Sequence, residues 1–105
     1  MSRHAFLLRI RPGKIADYEQ THRHVWPELL QVLQEAGIRN YSIFRRDLDL
    51  FLYLEAEDFE AAWKKVERSD ANRRWQEYMA PIIEQHPSRR LEERFAMLKE
   101  VFHME

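Results

Sequence analysis

The stretch IRNYSIFRRDLDLFLYLEA, residues 38–56, decides the fold class of this chain. Its two halves, IRNYSIFRR and LFLYLEA, are rich in aromatic and aliphatic residues, and the polar DLD stands between them. Residues of this kind favour strands, and a short polar break is typical of the connection between antiparallel neighbours. We therefore predict a hairpin of two strands, Ile38–Arg46 and Leu50–Ala56.

Upstream of this hairpin, the sequence predicts a strand and then a helical segment. HAFLLRIR, residues 4–11, is short, apolar and partly alternating, and a Pro-Gly pair closes it. From Lys14 to Ala36 the apolar residues recur at helical spacing. Pro27 interrupts this segment. Because proline lacks a backbone donor and disfavours helix in the residue before it, we expect a kink or a restart near Val25 and Trp26.

Downstream of the hairpin, the sequence predicts helices and a last strand. Asp58 can cap a helix that ends near Arg68, and Ser69 or Asp70 can cap another. The closing AMLKEVFHME, residues 96–105, alternates as a strand does. The order is therefore strand, helix, strand, strand, helix, strand.

This order is the split βαβ pattern of ferredoxin-like folds, so the predicted class is α+β. The length fits one compact domain over residues 1–105. In such a fold the helices cover one face of the sheet and leave the other face in need of a cover. We therefore expect a second copy of the chain to cover that face in a homodimer.

Composition narrows the classes of function. With 17 Lys and Arg against 18 Asp and Glu, no overall field recruits nucleic acid or an anionic membrane. The absence of cysteine excludes thiolate sites, and two glycines cannot build a glycine-rich phosphate cradle. The opening MSRHAFLLRIRPG lacks a membrane-length apolar run and a signal-peptide cleavage pattern, so we expect a cytoplasmic protein. We predict chemistry by side chains alone, without metal or cofactor, on a small neutral partner.

The segment DYEQTHRHVWPELL, residues 17–30, places a histidine on an apolar helix face. At about 100° per residue, His22 shares one stripe with five apolar or aromatic residues, Ile15, Tyr18, Trp26, Leu29 and Leu33. Burial costs a histidine free energy unless its nitrogens find partners, and it lowers the pKa. His22 is therefore either a hydrogen-bonded core histidine, the more common outcome, or a tuned acid–base group. His22 and His24 do not form a metal pair, because they point about 200° apart on a helix.

Aromatic neighbours favour the second interpretation of His22. Tyr18 lies one turn before it and Trp26 one turn after it, which combines flat apolar surface with the hydrogen-bonding tips that a sugar-sized ligand requires. The last helix carries a stripe that is usually plain core, with Gln76 at its edge: Trp75, Tyr78, Met79 and Ile82. In the second strand, the alternation places Tyr41 on the face of three other residues, Arg39, Ile43 and Arg45.

These residues resemble the L-rhamnose mutarotase family nearly from end to end. The motifs that carry the resemblance are Y-x3-H-x3-WPEL from Tyr18, NY-x-I from Asn40, RWQ-x-YM from Arg74 and a closing EVFH from Glu100. The resemblance implies a dimeric α+β barrel of ferredoxin-like subunits. It also implies an isomerase that interconverts the α and β anomers of a free sugar, L-rhamnose or a close relative, without a cofactor.

The resemblance also implies the site. By the pattern of the family, His22 is the proton donor, and Tyr18, Tyr41, Trp75 and Gln76 contact the sugar. Some members have a second tryptophan where this chain has Gln76. Ring opening needs a proton delivered to the ring oxygen and another removed from the anomeric hydroxyl, and the sequence leaves open which group removes the second. Two alternatives also stay open: a non-catalytic dimeric barrel that binds a small ligand, and a cofactor-free monooxygenase of similar architecture.

Overall fold

The computed structural model describes residues 1–105 as a five-stranded antiparallel sheet packed against four helices. The strands lie in the order β2-β3-β1-β4, and β5 pairs with β1 beside β4. This order confirms the predicted α+β class of ferredoxin-like topology. None of the helices has the length and apolar character that crossing a membrane requires. The elements, in chain order, are β1 (Ser2–Ile10), α1 (Ile15–His22), α2 (Pro27–Glu35), β2 (Arg39–Arg46), β3 (Asp49–Ala56), α3 (Phe59–Arg68), α4 (Asp70–Met79), β4 (Ile83–Gln85) and β5 (Ala96–Leu98).

The sheet has a covered face, which packs against the helices, and an open face. Strand β3 alternates between them, because successive side chains of a strand point to opposite sides. Leu50, Leu52 and Leu54 are buried on the covered face, whereas Phe51 between them is 44% exposed on the open face. In β1, Phe6 lies opposite Leu52 on the covered face. The six largest fully buried side chains form the centre of the core: Phe6, Ile10, Leu50, Leu54, Val66 and Met79.

Two predicted helix starts in the second half of the chain are confirmed. The side chain of Asp58 accepts a hydrogen bond from the backbone N–H of Ala61 at 3.1 Å, and Ser69 accepts one from Asn72 at 3.1 Å. Such caps satisfy backbone donors that the first helical turn leaves unpaired. Ser69, rather than Asp70, is therefore the cap that starts α4.

The helical segment Lys14–Ala36 is two helices rather than one kinked helix. Helix α1 ends at His22, and Pro27 is the first residue of α2. Trp26 has the extended conformation typical of a residue before proline, with φ −58° and ψ 129°. The predicted restart near Trp26 is therefore confirmed. The prediction that Tyr18, His22 and Trp26 lie along one face of a single continuous helix is wrong, because Trp26 lies outside α1.

Tyr41 was predicted to share a face of the sheet with Arg39, Ile43 and Arg45, and for Arg39 this prediction is wrong. A β-bulge interrupts the pairing of β2 with β3 between Arg39 and Ser42, and Asn40 there has φ +50°. Because a bulge inserts one extra residue, the alternation changes phase across it. Arg39 therefore lies opposite Glu55, whereas Tyr41 belongs with Ile43 on the covered face.

The last strand is much shorter than predicted. Pairing with β1 ends at Leu98, and no backbone hydrogen bond holds residues 99–105, which we call the tail. The edge of β1 is already shared with β4, a three-residue strand too short to show alternation in the sequence. β4 pairs only with Leu8–Ile10, so the tail leaves the edge of β1 beside Ser2–His4 unpaired, and its apolar residues Val101, Phe102 and Met104 are exposed.

Candidate active site

One large cavity lies between the covered face and the helices. Its volume is about 1160 Å³, comparable with the upper end of ordinary ligand pockets. All five residues that the resemblance assigns to the site line this cavity: Tyr18, His22, Tyr41, Trp75 and Gln76. The sequence motifs, which are up to 58 positions apart, therefore meet in one place.

Helix α1 supplies Tyr18 and His22 to the cavity wall. They are four residues apart, so their side chains lie on the same side of the helix one turn apart. The rings stack at a centroid distance of 4.0 Å with an angle of 22°. Tyr18 is buried and His22 is half-buried, so the phenol fixes one face of the imidazole. The edge of Trp75 approaches the imidazole at 5.5 Å and 77°.

The two nitrogens of His22 have different surroundings. Nδ1 lies 3.1 Å from the carbonyl oxygen of Tyr18 and 3.0 Å from the hydroxyl oxygen of Thr21, while Nε2 has no hydrogen-bond partner in the protein. A carbonyl oxygen only accepts hydrogen bonds, so the neutral ring that fits this geometry carries its proton on Nδ1. The lone pair of Nε2 is then free for a ligand.

Burial lowers the pKa of His22 below its ordinary value of 6.5, and the hydrogen bond to the Tyr18 backbone opposes this shift in part. The physical cause is desolvation, because an imidazolium loses hydration when it enters the protein. At neutral pH the imidazole is therefore mostly uncharged, and its Nε2 is able to accept a proton.

The two tyrosines of the cavity are hydrogen-bond donors rather than bases. Burial raises the pKa of Tyr18 and of Tyr41 well above the ordinary value of 10, and the nearby Tyr18 phenol adds to the shift of Tyr41. Both phenols consequently stay protonated at neutral pH. A neutral phenol donates one hydrogen bond and accepts others, which suits the hydroxyl groups of a sugar.

Helix α4 supplies Trp75 and Gln76. The amide nitrogen of Gln76 donates to the side-chain oxygen of Asn72 at 3.3 Å, and the buried Asn72 also lines the cavity. Trp75 packs edge to face on Trp26 at 5.0 Å. Trp26 itself supports Trp75 from behind and does not line the cavity, which corrects its predicted place among the ligand-facing residues.

The charged groups of the cavity wall are already paired. Glu84 lies 3.1 Å from Arg11, which also donates to the carbonyl of Ala80. A smaller pocket shares Tyr18 and His22 with the main cavity, and there Glu19 is paired with Arg45 at 3.0 Å. No cluster of three or more histidines or carboxylates is placed to hold a metal ion.

Comparison with known proteins gives the family. The family model of L-rhamnose mutarotase matches residues 3–104 of this chain. The chain belongs to the L-rhamnose mutarotase family. The relative from Opitutus terrae, named L-rhamnose mutarotase, is 39% identical over the full length of both chains. A relative of the same name from Enterococcus faecalis is 37% identical over 99% of this chain and all of its own length.

Solved structures agree with the family at the level of the fold. A crystal structure of an L-rhamnose mutarotase from Formosa agariphila superposes with a TM-score of 0.79 at 29% identity, covering all of both chains. Tetracenomycin F2 cyclase from Streptomyces glaucescens superposes with a TM-score of 0.68 at 15% identity, covering all of this chain and 98% of its own. The second likeness is one of fold alone.

Two further residues belong to the site, Asn72 in the cavity wall and Thr21 beside the imidazole of His22. Asn72 lies four residues before Gln76 on α4, so the helical spacing that linked Tyr18 to His22 could have identified it. Thr21 hydrogen-bonds Nδ1 of His22, although the two are adjacent in sequence. Adjacent residues point about 100° apart on a helix, so no periodic pattern indicates this contact.

Proposed function

We propose that this chain interconverts the α and β anomers of L-rhamnose by acid–base opening and closing of the pyranose ring. Membership of the L-rhamnose mutarotase family supports the substrate. The single observation that carries the chemistry is the free Nε2 of His22 in a cavity lined by aromatic rings and hydrogen-bonding tips. Acid–base catalysis of this kind typically contributes about 10²–10⁴-fold to a rate.

Ring opening needs a group that removes a proton from the anomeric hydroxyl and a group that gives a proton to the ring oxygen, and one side chain can do both. Nε2 of neutral His22 takes the proton of the anomeric hydroxyl as the C1–O1 bond becomes a carbonyl and the bond from C1 to the ring oxygen breaks. The imidazolium then gives this proton to the ring oxygen. Rotation about the bond between C1 and C2 presents the other carbonyl face, and the same steps in reverse close the ring to the other anomer. No proton or electron is gained or lost overall.

Elimination among the lining residues supports the assignment of both transfers to His22. Tyr18 and Tyr41 stay protonated near neutral pH because burial raises their pKa values. Glu84 is paired with Arg11. His22 is the remaining side chain of the cavity that can exchange a proton reversibly in the neutral range. We therefore assign to Nε2 of His22 the removal of the anomeric proton, which the sequence left open.

The other site residues hold the sugar in this proposal. The Tyr18 and Tyr41 hydroxyls donate to sugar oxygens, and the Gln76 amide can both donate and accept. The ring of Trp75 offers a flat apolar surface to the C–H side of the sugar and to the methyl group of a 6-deoxy sugar. The family pattern assigns four residues to substrate binding, and all four line the same cavity: Tyr18, Tyr41, Trp75 and Gln76. Their shared position supports this assignment.

The proposal includes a homodimer formed through the open face. Phe44 and Phe51 expose 65% and 44% of their surface there, and Leu98 exposes 42%. The tail adds Phe102, which is 80% exposed two residues after Glu100, the partner of Arg3 in β1. Contiguous exposed apolar surface of this kind marks association, and a two-fold dimer brings the same patch of both copies together. We also propose that residues 1–105 form one mutarotase domain. The family match over residues 3–104 supports the single domain. The proposed location of the protein is the cytoplasm.

Saturation-transfer NMR between the two anomeric protons tests the proposed activity. We expect the protein to accelerate exchange for L-rhamnose, and to a smaller extent for L-mannose, which differs by a hydroxyl at C6. Exchange equal to that of buffer for every sugar of such a panel would refute the activity. Sugar-induced shifts in the protein spectrum without any exchange would instead favour the non-catalytic binding protein.

A further inference from the structure

We infer that Thr21 is a positioning residue that holds the imidazole of His22 in the tautomer with a free Nε2 lone pair. This inference rests on the proposed function for its importance, but the geometry stands on its own. Thr21 is 8% exposed at the end of α1, one of only two buried polar residues in the chain. Its hydroxyl is the nearest polar side-chain group to the imidazole.

Three atoms form a closed hydrogen-bonded triangle at this point. The Thr21 hydroxyl lies 2.8 Å from the Tyr18 carbonyl oxygen, and both oxygens lie close to Nδ1 of His22, at 3.0 and 3.1 Å. The Thr21 hydroxyl donates its single proton to the Tyr18 carbonyl oxygen, which can only accept. The hydroxyl oxygen then turns its lone pairs to Nδ1.

This direction of the hydroxyl decides the tautomer. With the proton of Thr21 directed at the carbonyl, two acceptor oxygens face Nδ1, and a proton on Nδ1 satisfies both of them. A bare Nδ1 would place three lone-pair atoms against one another in a buried site, which is unfavourable. Thr21 therefore blocks the alternative tautomer, in which Nε2 would carry the proton and could not accept one from the anomeric hydroxyl.

The helical spacing of Tyr18, Thr21 and His22 makes the triangle possible. Residues three and four positions apart on a helix are neighbours, and their side chains lie over the preceding turn, which here contains the Tyr18 carbonyl. Both the Thr21 hydroxyl and the imidazole reach back to the same carbonyl.

The first test reads the tautomer directly and needs no substitution. In protein with ¹⁵N-labelled histidine at pH 8, we expect the His22 signals of a ring protonated on Nδ1, with a bare Nε2. His86 gives the internal reference, because its Nε2 lies 3.1 Å from the Asp49 carboxylate and its Nδ1 accepts from the Ser88 backbone at 3.2 Å. A wild-type His22 ring protonated mainly on Nε2 would overturn the inference.

The second test removes the hydroxyl with Thr21→Val, which keeps the shape of the side chain. We expect a measurable population of the Nε2-protonated ring. We also expect a roughly tenfold lower maximal exchange rate with little change in KM, because an orienting hydrogen bond to the histidine is lost. Thr21→Ser restores the hydroxyl and should recover both the tautomer and at least half of the rate.

Two results of this series contradict the role of Thr21. One is a folded Thr21→Val protein with the wild-type tautomer and rate. The other is equal impairment in Thr21→Val and Thr21→Ser, which would point to packing instead of hydrogen bonding. If the wild-type protein exchanges no sugar anomers, the proposed function fails, while the NMR tautomer comparison still decides whether Thr21 orients the ring.

Discussion

The two sides of the sheet differ in the surroundings of their polar and apolar side chains. On the covered face, Tyr18 and His22 bring hydrogen-bonding tips into an aromatic cavity and leave Nε2 without a partner. On the open face, Arg3 bonds Glu100 at 2.8 Å and Tyr53 bonds Glu55 at 2.8 Å, and the apolar rings of Phe44 and Phe51 are exposed. A titratable side chain with a shifted pKa in a cavity, as His22 is, indicates chemistry, whereas exposed apolar groups indicate association.

A pair of histidines makes the same comparison at atomic scale. His22 has one nitrogen bonded and one free, and its pKa is lowered by burial. His86, at the edge of the open face, has both nitrogens bonded, one to Asp49 and the other to Ser88. The first arrangement can exchange a proton with a ligand, while the second mainly fastens the loop after β4 to the start of β3.

The largest expected effect comes from His22→Asn. Asparagine keeps a polar side chain but cannot titrate near neutral pH, so we expect the anomer exchange rate to fall by about two orders of magnitude or more while sugar binding survives. Saturation-transfer NMR gives the rate, and sugar titration of the protein spectrum gives the binding. His24→Asn is the matched control, because His24 is exposed and should change neither quantity. Parent-rate exchange by a folded His22→Asn protein that binds sugar would end the assignment.

An intermediate effect is expected from Phe51→Asp on the open face. A charge at the centre of an apolar interface must lose hydration on association, so the homodimer should dissociate at micromolar concentration. Light scattering should then give the 12.9 kDa subunit mass, against twice that mass for the parent. Leu91→Asp is the control, since Leu91 is 94% exposed in the loop before β5. A parent protein that is already a monomer would contradict the assignment of the open face.

The smallest effect is expected from His86→Asn. The pairing of His86 with Asp49 involves a carboxylate whose side chain is 52% exposed, so its loss should lower the free energy of unfolding by only about 1 kcal/mol or less. The exchange rate per folded molecule should not change. Thermal unfolding and the NMR exchange assay on the same sample measure the two quantities. If His86→Asn lost as much rate as His22→Asn, then His86 would take part in the reaction, contrary to the structural role that we assign to it.

Local patterns predicted most of the fold, because caps, proline and alternation act over a few residues. Asp58 and Ser69 start helices where the sequence placed helix starts, and Pro27 restarts the chain as a helix. The tail was predicted as a strand from its alternation, yet a strand needs a partner edge, which alternation alone does not supply. The bulge beside Asn40 was missed because a single extra residue leaves the composition of a strand unchanged.

The members of the candidate site could be predicted, but not their hydrogen bonding. Motifs identified Tyr18, His22, Tyr41, Trp75 and Gln76, and all of them line the cavity. The state of the His22 nitrogens depends on distances of about 3 Å to a carbonyl and a hydroxyl, which no spacing rule contains. Sequence therefore indicates which groups meet, and the structure adds which nitrogen is free to react.

The pH dependence of anomer exchange at sugar concentrations well below KM tests the central claim most directly, because it reports the pKa of the group that carries the proton in the free protein. Neutral His22 is the active form and burial lowers its pKa, so the rate should be level at neutral pH and above and fall at acid pH, with a midpoint below 6.5. This acid limb should be absent from the residual rate of His22→Asn. A rate that stays level through the acid range, or an acid limb that persists unchanged in His22→Asn, would contradict the account.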